Sequence, residues 1–284
     1  MTIALKQMQE RTKRKCITTQ IEIQISERPE DVFCLWIPES VFADFGDSLW
    51  LNSDPLQSEQ DFRPLQISGQ AWDYENERCR LNVNILPRES TVDLLCFVEN
   101  RTDEPMQNVY VQNCLHFPKA PSFSSVRGES VFFCRNETWI PMSSTQHWFD
   151  SEENTLTNTT KFCYRTATLQ QGRYSSDKGS RNADPERSDH CLIVKEARDS
   201  EFSVGIAGEN WDFVFHNTDP QLGCIHSQPL PAMVMPGEAV TFKERLYFCD
   251  GDHRAVIHEF EHSIRSESRQ SGEVADKPSG DNVQ

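Results

Sequence analysis

Five residues near the C-terminal end, His258-Glu259-Phe260-Glu261-His262, fit the spacing H-E-x-x-H, in which two histidines one helical turn apart bind zinc and the glutamate is a general base. That chemistry needs a helix, and His253 to Arg265 supplies the periodicity for one. Val256, Ile257, Phe260 and Ile264 fall within about 100° of one another on a helical wheel. The two histidines then lie about 200° and 240° round from Val256, facing water. A catalytic zinc also needs a third protein ligand and a dry cleft. A solvated helix face is the expectation, and no metal ligand is assigned.

A second kind of chemistry is suggested by Gly208 to Pro231, where aromatic and short polar residues crowd together. Sugar C–H faces pack on aromatic rings while hydroxyls need several fixed hydrogen-bonding partners. Trp211, His216, Asn217, Asp219 and His226 have that composition. The plainer reading makes Trp211 core, Asn217 to Pro220 a turn and His226 a structural hydrogen bonder. On the run Val109 to Phe117, Gln112 and His116 share the face opposite Val111 and Leu115, with Lys119 at the exit. If that face is concave, these three meet His147 or His226, with Trp148 as a wall. The candidate proton-transfer groups are then His116 and His226, with Glu238 or Glu244 as bases. Gln112, Lys119, Trp148, Trp211, His216, Asn217, Asp219 and Arg245 are the candidate substrate contacts. A metal-dependent reading would use His116, His216, His226 and Asp219, or the helix pair.

The elements that must position these groups repeat with period two. Ile21, Ile23 and Ile25 alternate with Glu22 and Gln24, and Leu81, Val83 and Ile85 with Asn82 and Asn84, the signature of half-buried strands. Further β-branched and aromatic runs lie at 91–99, 130–134, 161–168, 190–195, 201–207, 211–216 and 239–249, separated by turn chemistry such as Asn217-Thr218-Asp219-Pro220 and Pro236-Gly237-Glu238. About a dozen strands and one helix at the end predict a large all-β, antiparallel two-sheet sandwich with a short C-terminal helix. Residues 16–265 are expected to form a single domain, residues 1–15 a basic solvated arm and residues 266–284 a disordered polar tail.

The 284 residues hold 28 Lys plus Arg against 44 Asp plus Glu, a formal charge of −16. Phosphate neutralisation needs clustered positive charge, so no nucleic-acid partner is expected. Val32 to Ile37 is the longest apolar run, far short of the roughly 20 residues that span a bilayer, so no membrane partner is expected either. No export signal is visible at the start, and the ten cysteines form no Cys-x-x-Cys pair and sit mostly in strand-like runs. Free buried thiols in a reducing, cytoplasmic compartment are the expectation. The sequons at Asn100, Asn136 and Asn158 carry no weight without an export signal.

Leu95-Cys96-Phe97-Val98-Glu99-Asn100-Arg101-Thr102 followed by Met106 to Val111, together with Pro236-Gly237-Glu238 followed by Tyr247-Phe248, resembles the strand, Asn-containing turn and closing hairpin of the galactose-mutarotase-like sandwich. That fold is shared by aldose epimerases and several polysaccharide-acting enzymes. The resemblance spans roughly residues 90 to 250 and implies a supersandwich with a sugar-type ligand. In the epimerases a histidine is the acid at the ring oxygen and a glutamate the base at the anomeric hydroxyl. The epimerase histidine motifs do not occur in this sequence, so the resemblance assigns no catalytic residue. The expected function is therefore carbohydrate binding, or carbohydrate processing by histidine and carboxylate acid–base chemistry, without a cofactor. The alternatives are a non-catalytic carbohydrate-binding or protein-interaction module and, further off, a metal-dependent enzyme.

Overall fold

The computed structural model describes residues 1–7, 20–44, 47–51, 63–68, 71–124, 128–145, 159–165, 181–182, 186–217 and 223–275. Strand formation follows the alternation. In Cys79–Pro87, the side chains of Cys79, Leu81, Val83 and Ile85 are buried, while Arg80, Asn82 and Asn84 face outward. Among the described residues the strands build two sheets, one of eleven strands and one of nine.

The larger sheet runs from Ile3–Gln7 through Gln20–Ile25, Arg28–Ala43, Met106–Lys119, Ile225–Pro229 and Trp211–Asn217 to Thr159–Tyr164. In the smaller sheet, Thr138–Pro141, Val131–Arg135, Leu192–Glu196, Phe202–Gly208, Ala239–Asp250, Thr91–Asn100, Cys79–Pro87, Ala71–Glu75 and Arg63–Ser68 follow one another. Pairing is antiparallel except for two short strands, Arg181–Asn182 and Glu186–Arg187, which lie parallel to Thr159–Tyr164.

The two sheets close on one apolar core. The larger sheet contributes Ile23, Phe33, Leu35, Val111 and Leu115, and the smaller Leu81, Leu94, Val98, Val204, Leu246 and Phe248, all fully shielded. Each such side chain contributes about 1.5–3 kcal/mol by leaving water. Phe33 fixes the register of the layers, with Phe117, Phe123 and Phe248 all at ring-contact distance.

The helix His253–Ala275 lies on the outer face of the smaller sheet. Asp252 caps it by accepting the Arg254 N–H at 3.0 Å, and Glu196 accepts the His253 N–H at 2.7 Å. Val256 and Phe260 pack against Leu192, Val194, Ala207 and Tyr247. The helix can approach this closely because residue 205 is glycine. A Cβ there would stand 2.6 Å from Cγ1 of Val256 and 2.9 Å from Cδ1 of Leu192.

Three expectations are corrected. Ile264 is 46% exposed and does not join the buried stripe, because it lines the open cleft between the helix and the sheet. The helix continues to Ala275, so the first ten residues of the expected disordered tail are helical; Glu, Arg, Gln and Ala are good helix formers and extend a turn already nucleated and anchored. Within the expected solvated arm, Ile3–Gln7 is an edge strand, since Ile3 and Leu5 pair opposite Ile25 and Ile23 and pack against the core. The eight cysteines that are described with their side chains are free thiols, six of them buried. No helix among the described residues is long and apolar enough to cross a membrane.

Candidate functional site

Among the described residues, a buried polar grid and an open cleft combine polar chemistry with shape. The first lies on the outer face of the larger sheet and is built by strand register. Cys34 stands opposite His116, and Trp36 opposite Cys114. Ile225 pairs with Leu115, which in an antiparallel ladder puts Cys224 beside His116 and His226 beside Cys114. Phe215 stands opposite His226, and the Asn217 N–H bonds the Cys224 carbonyl. Two rows therefore cross four strands: Cys34, His116, Cys224, Asn217 and Trp36, Cys114, His226, Phe215. Opposite neighbours of this kind have Cβ atoms about 4.5–5.5 Å apart.

Within this grid the N–H on Nδ1 of His226 donates to the Asn113 main-chain carbonyl at 2.7 Å. That bond aims Nε2 at Sγ of Cys224, 3.0 Å away. The Asn217 side-chain amide also donates to Cys224 Sγ, at 3.1 Å. The His226 ring stacks on Phe215 with centroids 3.9 Å apart. Burial alone would push the Cys224 thiol up, but the Cys114 thiol, His226 and Asn217 all address its sulfur and hold it well below the ordinary thiol range. Burial and that neighbouring sulfur push Cys114 up instead. The ligand atoms of Cys114, Cys224 and His226 lie within 4.8 Å of one another. His116 touches Trp36 edge-on, and among the described residues neither of its ring nitrogens has a hydrogen-bond partner. Burial lowers its pKa to about 4. Beside the grid, Gln112 donates to Glu39 at 2.6 Å, and burial raises the Glu39 carboxyl.

The second place is a cleft of about 720 Å³ between the C-terminal helix and the outer face of the smaller sheet. Trp211, Tyr247, Phe260 and Leu95 supply apolar surface; Arg88, Asp93 and Arg245 form an ionic group, and Lys243, Glu209 and Asn210 are further polar lining. Asp93 accepts from Nε of Arg245 at 2.5 Å and from Nε of Arg88 at 2.7 Å. Partial burial would raise its carboxyl, but the two guanidinium groups hold it below the usual carboxylate range.

Of the residues singled out from the sequence, His116, His226, Gln112 and Asn217 come together on the larger sheet. Trp211 and Arg245 come together in the cleft, Trp211 also belonging to the core. Glu244 stands between the sheets, where its carboxylate group accepts from Asn113 Nδ2 at 3.0 Å and burial raises its pKa to about 8. It is on the opposite side of Asn113 from His226, and the strand alternation is the reason. Glu238 is exposed in the turn before Ala239–Asp250, its carbonyl accepting the Asn100 N–H. His216 points away from the grid, with Nδ1 3.0 Å from the Cys224 carbonyl. Lys119 is ion-paired with Glu22 at 2.8 Å. Trp148, His147 and Asp219 lie outside the described residues. His258 and His262 are exposed on the helix, as the wheel predicts. Sequence reasoning missed Cys114, Cys224, Trp36 and Glu39. The signal that was there is a doubled Cys-x-His, at Cys114 and at Cys224, each placing both side chains on one strand face.

The class these features define is an antiparallel two-sheet β-sandwich with a helix packed on its smaller sheet. Among solved structures, the chain is similar to the galactose mutarotase related enzyme from Lactobacillus acidophilus at 11% identity and a TM-score of 0.47, covering 83% of this chain and 93% of that one. It is also similar to an aldose epimerase homologue from C. elegans at 9% identity and a TM-score of 0.41, with the same coverage of both chains. No family model and no curated protein matches the sequence.

Proposed function

We propose that the protein binds a carbohydrate, or a polar ligand of that size, in the cleft beneath the C-terminal helix. The observation that carries this is the pairing of aromatic walls with an oriented ionic group, Arg88-Asp93-Arg245, inside about 720 Å³. Ligand sites commonly enclose about 300–1,000 Å³ and combine apolar walls with a few fixed polar groups. Trp211 and Tyr247 offer ring faces for sugar C–H groups, Asp93 offers acceptor oxygens already held in place, and Lys243 and Arg88 offer donors. The lining holds Arg88, Lys243 and Arg245 against Asp93, Glu209 and Glu244, and because burial keeps the Glu244 carboxyl protonated up to about pH 8, the single excess positive charge favours a sugar acid over a neutral sugar.

Binding is favoured over acid–base catalysis because the histidines belong to the other sheet. Neither His116 nor His226 lines the cleft, so neither can reach a sugar held there. Titration calorimetry with neutral monosaccharides, uronic acids and their oligomers tests the proposal. A sugar acid is expected to bind, and at one hundred times its Kd to stabilise the fold by about 2.7 kcal/mol. Arg88→Ala and Lys243→Ala are expected to weaken binding several-fold while leaving the unliganded melting temperature near wild type. Binding of no sugar in the series overturns the reading.

A further inference from the structure

The cleft leaves the buried grid of the larger sheet without a role. We propose that Cys114, Cys224, His226 and His116 form a Cys2His2 site for a zinc ion. The site is two Cys-x-His pairs on adjacent antiparallel strands, arranged so that each cysteine stands beside the other strand's histidine.

Four observations converge on it. The donor atoms of Cys114, Cys224 and His226 lie within 4.8 Å of one another. Ligand atoms round a tetrahedral zinc are roughly 3.3–3.8 Å apart, from bond lengths of about 2.0–2.1 Å to nitrogen and 2.3 Å to sulfur, so small side-chain rotations suffice for these three, while the His116 ring, outside that 4.8 Å group, must turn further to complete the set. His116, beside Cys224 in register, has two buried ring nitrogens without a hydrogen-bond partner among the described residues, an arrangement that costs free energy unless a ligand takes one of them. The surroundings of the first ligands already have the outer contacts of a metal centre. His226 donates its other ring N–H to the Asn113 carbonyl, which fixes the tautomer, and Asn217 donates to Cys224 sulfur. The grid is also the right size. Its donor residues are at most 4% exposed, which excludes an organic ligand and admits a bare ion. Two thiolates cancel the charge of Zn²⁺, so the assembled centre is electrically neutral, as burial demands.

With four protein ligands the site is closed, the arrangement of a structural zinc. Its place explains what it would hold. The Met106–Lys119 and Ile225–Pro229 strands are paired at Ile225 and Leu115, while the side chains of His226 and Gln228, in place of main-chain amides, reach the carbonyls of Asn113 and Val111. A metal joining Cys114 and His116 to Cys224 and His226 clamps that thin seam, which connects the N-terminal and C-terminal strands of the larger sheet.

The full chain, purified without chelator, is analysed for metals and then stripped and reloaded with Zn²⁺ or Co²⁺. One zinc per chain is expected, with a melting temperature that falls on stripping and recovers with Zn²⁺. Cobalt is expected to give the sulfur-to-metal charge-transfer absorption of a tetrahedral thiolate site. Cys114→Ser and Cys224→Ser should weaken or abolish that band, and His116→Gln should keep it while changing the visible ligand-field bands. Asn217→Ala is expected to weaken metal binding about 10–100-fold, the usual effect of removing an outer contact. Where a cysteine variant fails to fold, the cobalt spectra of wild type and His116→Gln still decide. A folded wild-type chain with neither zinc nor the cobalt band, or a Cys114–Cys224 disulfide found by mass in place of the metal, overturns the proposal. Sugar binding in the cleft is read separately and does not depend on this outcome.

Discussion

The imidazole of His226 is committed at both nitrogens: Nδ1 donates to the Asn113 carbonyl at 2.7 Å, and Nε2 faces Cys224 Sγ at 3.0 Å. The ring also lies flat on Phe215. His226→Phe keeps the stacking and removes both polar contacts, leaving a buried carbonyl and a buried sulfur without this partner. In metal-free protein the expected loss is about 1–3 kcal/mol, mostly from the Asn113 carbonyl, since the Cys224 sulfur keeps the Asn217 amide. Urea denaturation measures it, and a loss below about 1 kcal/mol would mean that stacking, not hydrogen bonding, holds the ring.

Glu244 sets a pH dependence. Its carboxyl titrates at about 8 in the folded chain, raised by burial, against 4.5 as the ordinary value. Between those values the unfolded chain has released the proton and the folded chain has kept it. The stability associated with this group is therefore complete below about pH 4.5 and is lost as pH rises through 8. Glu244→Gln keeps an acceptor for Asn113 and cannot ionise. Its stability relative to wild type should climb across that window by up to about 1.4 kcal/mol per pH unit. A difference that stays flat with pH would show that the carboxyl reaches water.

Lys195 has the opposite slope. Fully buried, it donates to the Gly223 carbonyl at 3.0 Å and lies 4.5 Å over the Phe117 ring. Burial lowers its pKa from 10.5 to about 7. Below pH 7 the folded state must hold a buried ammonium, and that penalty is relieved as pH rises from 7 to 10.5. Lys195→Met is expected to stabilise the chain by a few kcal/mol near pH 6 and to lose that advantage by about pH 10. Chemical denaturation at the two pH values separates this from simple repacking, which would give the same difference at both.

Gly205 tests the seat of the helix. A methyl group at this position meets Val256 at 2.6 Å and Leu192 at 2.9 Å, so in Gly205→Ala those side chains must repack or the helix must move outward. Overpacking of this sort costs about 1–3 kcal/mol. Because the same helix roofs the cleft, sugar affinity should fall along with stability. Retained affinity in the folded variant would place the ligand elsewhere.

The sandwich itself was legible in single strands. Ile21-Ile23-Ile25 and Leu81-Val83-Ile85 alternate because a pleated strand must show one face to the core, and the structure places both in it. The Asn-containing turn after Thr91–Asn100 was legible too, though not its reason. Asn100 is fully buried and donates to the carbonyls of Glu104 and Val234 while accepting from Thr102, so its side chain ties the turn to a segment more than a hundred residues away. That burial also makes this sequon a structural position in the folded chain.

Periodicity along one strand specifies which residues share a face, and so Gln112 and His116 were paired from the sequence alone. It says nothing about which strand lies alongside. The partnership of His116 with Cys224, and of Cys114 with His226, required the Ile225–Leu115 register, a relationship between residues 110 positions apart that only the closed sheet creates. The same holds for Glu244, whose distance from His226 depends on which side of Asn113 each group falls. Local sequence determined the strands, the core and the exposed helix face, because these follow from each residue's own preference for water. The tertiary fold decided the chemistry, because donors and acceptors matter only through the neighbours that long-range pairing brings to them.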